Sequence, residues 1–263
     1  MIPRLLLTGA AGNIGRDLRT RLAAHCQALR VSDLADLGPE RPGEESVTAR
    51  LEDADAMDQL LAGVDAVVHM GGVPEERSFD RILAANIVGL RNLYEAARRH
   101  GVPRLVVASS LHVTGYYRQD EVVDAHMPPR PDGYYAISKL YGENLGRYYF
   151  DRFGIETVSL RIGSYRAHPL TRRELSSWIS ADDMERLVLA SLHAPVVGHT
   201  IVYGVSANAS TWWDNRSAQH LGYQPKDDAS VHAARLLAEE PQLDLNDPAT
   251  VFQGGLFVHN EPQ

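Results

Sequence analysis

Four short apolar runs mark the first half of the chain: Leu5 to Leu7, Ala28 to Val31, Ala66 to His69 and Leu105 to Ala108. Each has the length and β-branched content of a buried strand. Between them, apolar positions recur at helical spacing: Leu18, Leu22 and Cys26, then Met57, Leu60, Leu61 and Val64, then Ile87, Leu90, Tyr94 and Ala97. The pattern continues into a long helix over about 134–153 and a further strand from Thr157 to Leu160. Strands that are apolar at every position need cover on both faces. Their alternation with helices therefore predicts a doubly wound α/β fold with a parallel sheet over residues 1–161.

Beyond Arg161 the texture changes. Pro169, Pro195, Pro225, Pro241 and Pro248 break the chain into short segments, with a strand-like run from Ile201 to Tyr203 and a helical pattern from Asp183 to Leu192. Residues 162–263 are expected to form a small α+β region, interleaved with the first part in one compact unit. It is too short to be a second large catalytic domain.

Composition narrows the function classes. The chain has 263 residues, 44% hydrophobic and 23% charged, which excludes a disordered, collagenous or coiled-coil protein. A formal charge of −8 repels phosphate polyanions, so no nucleic-acid partner is expected. Cys26 stands alone, read as a small buried helix residue, and the 11 His form no cluster with zinc-ligand spacing, so no metal is expected. No signal segment and no apolar run near the roughly 20 residues of a membrane span are visible; the expected partner is a small molecule and the expected compartment the cytoplasm.

Three motifs carry chemistry. The first strand runs into Thr8-Gly9-Ala-Ala-Gly12-Asn13-Ile14-Gly15, a Gly-rich turn opening a helix, where backbone N–H groups and the positive helix end can meet a pyrophosphate. At the end of the second strand, Asp33 can accept hydrogen bonds from the adenosine ribose hydroxyls and would repel a 2′-phosphate. That favours NAD over NADP. Tyr135 and Lys139 stand one helical turn apart on one face. The chain has only two lysines, Lys139 and Lys226, so about 0.08 such pairs are expected by chance. Lowering a phenol from about 10 towards 7 needs about 4 kcal/mol of preferential phenolate stabilisation, which a Lys cation and an oxidised nicotinamide could supply. Ser109 and Ser110 follow the strand ending at Ala108, at a carboxyl end where open α/β sheets bind ligands.

In order along the chain, the Gly loop, His69-Met70-Gly71-Gly72, Asn86-Ile87-Val88-Gly89, Ser109-Ser110, Tyr135-x-x-x-Lys139 and Trp178-Ile179-Ser180-Ala181-Asp182-Asp183 resemble the extended, epimerase-like short-chain dehydrogenase/reductase superfamily. Within it, Gly115-Tyr116-Tyr117, Arg130-Pro131-Asp132-Gly133, Arg161-Ile162-Gly163-Ser164, Trp212-Trp213-Asp214-Asn215 and Phe252-Gln253-Gly254-Gly255 resemble the uronate dehydrogenases. The resemblance spans essentially the whole chain. It implies a Rossmann-type sheet with a small C-terminal α+β substrate-binding region, and oxidation of C1 of cyclic D-glucuronate or D-galacturonate by NAD to an aldarolactone. It further implies that Tyr135 is the base, that Lys139 holds the nicotinamide ribose and tunes Tyr135, that Ser110 binds the reacting oxygen and that Asn86 supports the proton path. Cofactor contacts are implied at Gly9, Gly12, Asn13, Ile14, Gly15, Asp33, Leu34, Leu51, Met70, Gly71, Gly72, Val73 and Tyr165. Sugar contacts are implied at Ser110, Leu111, His112 and Ser164, with Arg173 gripping the C6 carboxylate through two parallel hydrogen bonds and Arg172 beside it as the competing assignment. A homo-oligomer is expected from the resemblance only.

Three positions depart from the family pattern. Arg50 replaces an aspartate that bonds the adenine amine, Leu111 an asparagine, and Pro74 a serine near the substrate. Two rival functions share many of these motifs: a nucleotide-sugar epimerase or dehydratase, and an NAD-sensing regulator without turnover. The first usually needs a larger C-terminal region, and the second a degraded Tyr/Lys pair.

Overall fold

The computed structural model describes residues 1–260. In chain order its strands are β1 (Ile2–Thr8), β2 (Cys26–Ser32), β3 (Glu44–Val47), β4 (Ala66–His69), β5 (Arg104–Ser110), β6 (Val123–Asp124), β7 (Glu156–Ile162), β8 (Ser164–Tyr165), β9 (Trp178–Ile179), β10 (His199–Gly204) and β11 (Trp213–Asp214). The α-helices are α1 (Asn13–Leu22), α2 (Ala54–Leu61), α3 (Phe79–Ile82), α4 (Gly89–His100), α5 (Tyr134–Phe153), α6 (Glu174–Ser177), α7 (Ala181–His193), α8 (Ala233–Glu239) and α9 (Pro248–Val251). A π-helical stretch, Leu83–Val88, joins α3 to α4.

Seven strands form one sheet in the order β10-β7-β5-β4-β1-β2-β3, and every pairing is parallel. The order reverses between β1 and β4, which makes a crevice at their carboxyl ends. The apolar runs are nearly continuous, broken by Arg30 in β2, because alternate residues serve opposite faces. Leu5, Leu7, Val68 and Val106 pack with α1 and α7, whereas Leu6, Val67, Leu105 and Val107 pack with α2, α4 and α5.

Three elements differ from what the linear pattern predicts. Cys26 does not extend the first helix: α1 ends at Leu22, a 3₁₀ turn spans Ala23–His25, and Cys26 opens β2. The i+4 spacing persists by coincidence across a helix and a strand that share one apolar layer. The edge strand β3 carries Glu44 and Glu45, so no apolar run announces it. The run from Ile201 to Tyr203 lies in β10, which joins the main sheet beside β7, so the C-terminal part supplies a strand of the large sheet.

Helix α5 sits unusually close to its neighbours. A methyl group on Gly142 would meet Leu90 at 2.8 Å, and one on Gly146 would meet Thr157 at 2.8 Å and the Tyr94 hydroxyl at 2.9 Å. Two glycines in a helix interior cost about 1 kcal/mol each in propensity. Here they let the helix lie against β7 and α4. The same helix carries Glu143, whose carboxylate accepts from Arg161 Nε and Nη2 at 2.8 and 2.9 Å and from the Ser109 hydroxyl at 2.7 Å. Both charged side chains are buried. Removing one partner strands the other charge, so Arg161→Leu is expected to lower unfolding stability by about 3 to 5 kcal/mol. Urea denaturation would measure this, and the double variant Arg161→Leu/Glu143→Leu should recover most of the loss.

Candidate active site

One continuous cleft of about 2110 Å³ runs across the carboxyl ends of the strands. It is lined by every residue the sequence assigned to a site except Asn86. Its dinucleotide end is built from glycines. Gly9 has φ +70°, and a methyl group there would lie 2.5 Å from the Met70 carbonyl carbon, so the turn after β1 touches the turn after β4. At Gly15 a methyl group would fall 2.0 Å from the Gly9 carbonyl oxygen. Helix α1 starts after Gly12 with no side-chain cap, which leaves its first N–H groups free for an anion. Asp33 is oriented by the backbone, Oδ2 accepting from Ala11 N at 2.9 Å and Oδ1 from Ala35 N at 3.0 Å. Each oxygen retains acceptor capacity for a ribose hydroxyl. Uncapped N–H groups, a glycine cradle and an anchored carboxylate together fit a dinucleotide.

Tyr135 and Lys139 lie where strand β5 ends. Lys139 Nζ donates to the Ala108 carbonyl at 2.9 Å and stands 5.6 Å from the centre of the Tyr135 ring. Tyr135 and Ser110 are both buried. Burial pushes the Tyr135 phenol up to about 12, with the Ser110 hydroxyl opposing and the Asp132 charge adding to the rise. Burial brings Lys139 down to about 8. Both shifts penalise the charged forms, so an added positive charge at the cleft would favour the phenolate.

Asn86 lies behind this pair. Its Oδ1 accepts from Val73 N at 2.8 Å, and its Nδ2 donates to the Val73 carbonyl at 3.1 Å and to Ser138 Oγ at 2.9 Å. Ser138 Oγ in turn donates to the Tyr135 carbonyl at 2.7 Å. Asn86 thus ties the turn after β4 to the helix that carries Tyr135. A second tie went unread in the sequence: Glu76 Oε1 and Oε2 accept from Tyr134 N and Tyr135 N at 3.1 and 3.0 Å. The N-cap of α5 is Gly133, which has no side chain to offer, so a buried carboxylate from a distant loop supplies the cap. No local motif signals it.

At the other end of the cleft the two neighbouring arginines separate. Arg172 turns to Glu240, its N donating to Oε2 at 3.2 Å and its Nη1 to the carbonyl at 3.4 Å. Arg173 Nε donates to the Gln253 carbonyl at 2.8 Å, and Nη2 donates to the same oxygen. Burial brings Arg173 down to about 10, opposed by Glu174 and Asp132. It remains a cation at neutral pH, with the outer Nη1/Nη2 edge of the guanidinium unclaimed among the described residues except for a 3.5 Å contact from Nη1 to Ser177 Oγ. Ser164 Oγ lies 2.9 Å from Ser177 Oγ, and the Tyr165 hydroxyl donates to Asp17. Leu111 packs its side chain among Tyr117, Val123, Tyr203, Val205 and Trp213. Its apolar character is explained by that cluster. Arg50 is exposed at the cleft edge, 3.4 Å from Glu52.

Residues 5–181 match the NAD dependent epimerase/dehydratase family. The chain belongs to that family. It is 53% identical to the uronate dehydrogenase of Pseudomonas syringae pv. tomato over 98% of its own length and 94% of the relative. The fold superposes on a uronate dehydrogenase from Agrobacterium tumefaciens complexed with NAD at a TM-score of 0.97 and 48% identity, covering 100% of both chains. It also superposes on glucuronic acid dehydrogenase from Chromohalobacter salexigens at a TM-score of 0.97 and 43% identity, covering 99% of this chain and 98% of the other. The Gly loop, the Tyr/Lys pair, Ser110 and Arg173 all fall inside the matched family segment. Gln253, whose carbonyl holds Arg173, lies beyond the end of that segment.

Proposed function

We propose that this chain is an NAD-dependent dehydrogenase that oxidises C1 of a cyclic hexuronate, D-glucuronate or D-galacturonate, to an aldarolactone. The observation that carries this reading is one cleft holding an anchored guanidinium, Arg173, together with the Tyr135, Lys139 and Ser110 group. The near-full-length likeness to uronate dehydrogenases supports it.

NAD, held by the Gly9 to Gly15 turn and Asp33, would supply the hydride acceptor and a positive charge. Tyr135, as phenolate, takes the proton of the C1 hydroxyl. Ser110 donates to the same oxygen and orients it, and Lys139 opposes the burial that keeps Tyr135 protonated. Arg173 grips the C6 carboxylate with its free edge and so selects which carbon is presented. Asn86 and Glu76 hold the catalytic helix in register with the turn from Met70 to Val73. Asp33 receives the ribose hydroxyls and disfavours NADP. Residues 1–161 serve the dinucleotide and the Tyr/Lys pair, and residues 162–263 shape the sugar end. The apolar area exposed at Phe79, Ile137 and Tyr148 supports a homo-oligomer, and dependence on a diffusible NAD pool supports a cytoplasmic setting.

The test is NADH formation from glucuronate, galacturonate, glucose and a UDP-hexose, each with NAD and with NADP. Signal with the two uronates and NAD is expected; silence with both uronates, or UDP-hexose conversion without net NADH, overturns the proposal. Overpacking at the Gly9 carbonyl gives a second check. Gly15→Ala is expected to weaken NAD binding at least about tenfold, as read by calorimetry.

A further inference from the structure

Gln253 holds Arg173 and Gly133 is the N-cap of α5, but the other residues of three sequence motifs, Gly115-Tyr116-Tyr117, Arg130-Pro131-Asp132-Gly133 and Phe252-Gln253-Gly254-Gly255, stand outside the dinucleotide and Tyr/Lys sites. In the fold they converge on one carboxylate. A methyl group on Gly115 would fall 2.0 Å from Asp132 Oδ2, and one on Gly254 would fall 2.2 Å from it. Gly254 N donates to the Gly115 carbonyl at 2.8 Å, so two glycines on distant segments join to leave the space that the carboxylate fills. Asp132 Oδ2 lies 2.6 Å from His112 Nδ1, and Oδ1 is buried with no hydrogen-bond partner among the described residues. Phe257, from the same C-terminal segment, stacks on the imidazole at 3.8 Å and 23°. The Tyr135 ring stands edge-on to His112 at 6.3 Å.

A buried carboxylate with one bare oxygen is costly, so its retention calls for a task. An ionised carboxylate only accepts hydrogen bonds, so its contact places a ring proton on Nδ1. His112 lines the cleft, and its Nε2 has no hydrogen-bond partner among the described residues. In the neutral ring Nε2 offers a lone pair, in the same cleft as Tyr135 and Ser110. In a pyranose, C1 is flanked by the ring oxygen, which carries no hydrogen, and by C2, which carries a hydroxyl. Only the C2 hydroxyl can donate.

We propose that Asp132 is a positioning residue that locks His112 with its proton on Nδ1, so that Nε2 accepts a hydrogen bond from the C2 hydroxyl of the substrate and fixes C1 against Tyr135. The C2 assignment rests on the hexuronate reading above; the tautomer lock does not.

The test compares a hexuronate with its 2-deoxy counterpart in the native chain, Asp132→Asn and His112→Ala. The native chain is expected to prefer the hexuronate by about 10- to 100-fold in kcat/KM, the range of a hydrogen bond whose loss leaves a buried group unpaired. Both variants should bring that preference close to one while keeping NAD affinity, measured separately by calorimetry. ¹⁵N spectroscopy of the native protein, which needs no variant, should find His112 protonated at Nδ1 with a lone pair at Nε2. A lone pair at Nδ1, or an undiminished preference in folded Asp132→Asn and His112→Ala, overturns the inference alone. A native chain silent towards hexuronates overturns the substrate reading and the C2 assignment with it, while the spectrum still decides the lock.

Discussion

Tyr135→Phe is expected to bind NAD normally and to lose about 10³- to 10⁴-fold in kcat with hexuronates, the scale of a positioned proton acceptor. The substitution keeps the ring that faces His112 and Lys139 and removes only the oxygen that would take the C1 proton. The pH dependence gives the sign. Burial holds Tyr135 up at about 12, so the phenolate is scarce at neutral pH and its fraction grows as pH rises. Turnover of the native chain should therefore increase from neutral into alkaline solution. Lys139, brought down to about 8 by burial, is a cation 5.6 Å from the centre of the Tyr135 ring, so the gain should diminish once it loses its proton. Tyr135→Phe should abolish this profile. Steady-state rates across pH, with NAD affinity by calorimetry, are the measurement; near-native turnover in the variant would remove Tyr135 from the role of base.

Arg173→Ala is expected to lower kcat/KM for glucuronate and galacturonate by about 100- to 1,000-fold, the effect of losing a bidentate, partly desolvated ion pair with the substrate. Activity with glucose, which has no carboxylate, should change by less than about threefold. The contrast matters because Arg173 also holds the Gln253 carbonyl, and the segment beyond it carries Phe257 against His112. If the arginine were only a strut for that segment, neutral and acidic sugars would suffer alike. Arg172→Ala serves as the comparison: its side chain is engaged with Glu240, and it should leave the uronate preference intact.

Some of this was legible in the linear pattern. The long helix Tyr134–Phe153 and the strands at Leu5, Val68, Val106 and Val158 could be read because burial on both faces imposes apolar residues at every strand position and at helical intervals between strands. The edge strand Glu44–Val47 could not be read, because an edge carries charge and needs no continuous apolar run. Cys26 misled because a short 3₁₀ turn let an apolar spacing pass unbroken from helix to strand. Pro-rich segments after residue 161 suggested a small α+β region interleaved with the first part, but not which of its segments would join the sheet; β10, from that region, pairs with β7 along its full length.

The parallel α/β framework, the glycine turn with Asp33 and the Tyr135/Lys139 pair are legible from spacing along the chain. The Tyr135/Lys139 pair lies within one helical turn, and the glycine turn and Asp33 sit at the carboxyl ends of the two strands of one strand-helix-strand unit, where local geometry leaves little freedom. The sequence also contained Gly115 and Gly254 without disclosing what they make room for. Tertiary structure alone decided that Asp132 meets His112 across 20 residues, that Glu76 caps Tyr134 across 58, and that Gln253 holds Arg173 across 80. A buried carboxylate or guanidinium must find its partner wherever chain crossings bring one, and spacing along the chain carries no record of that meeting.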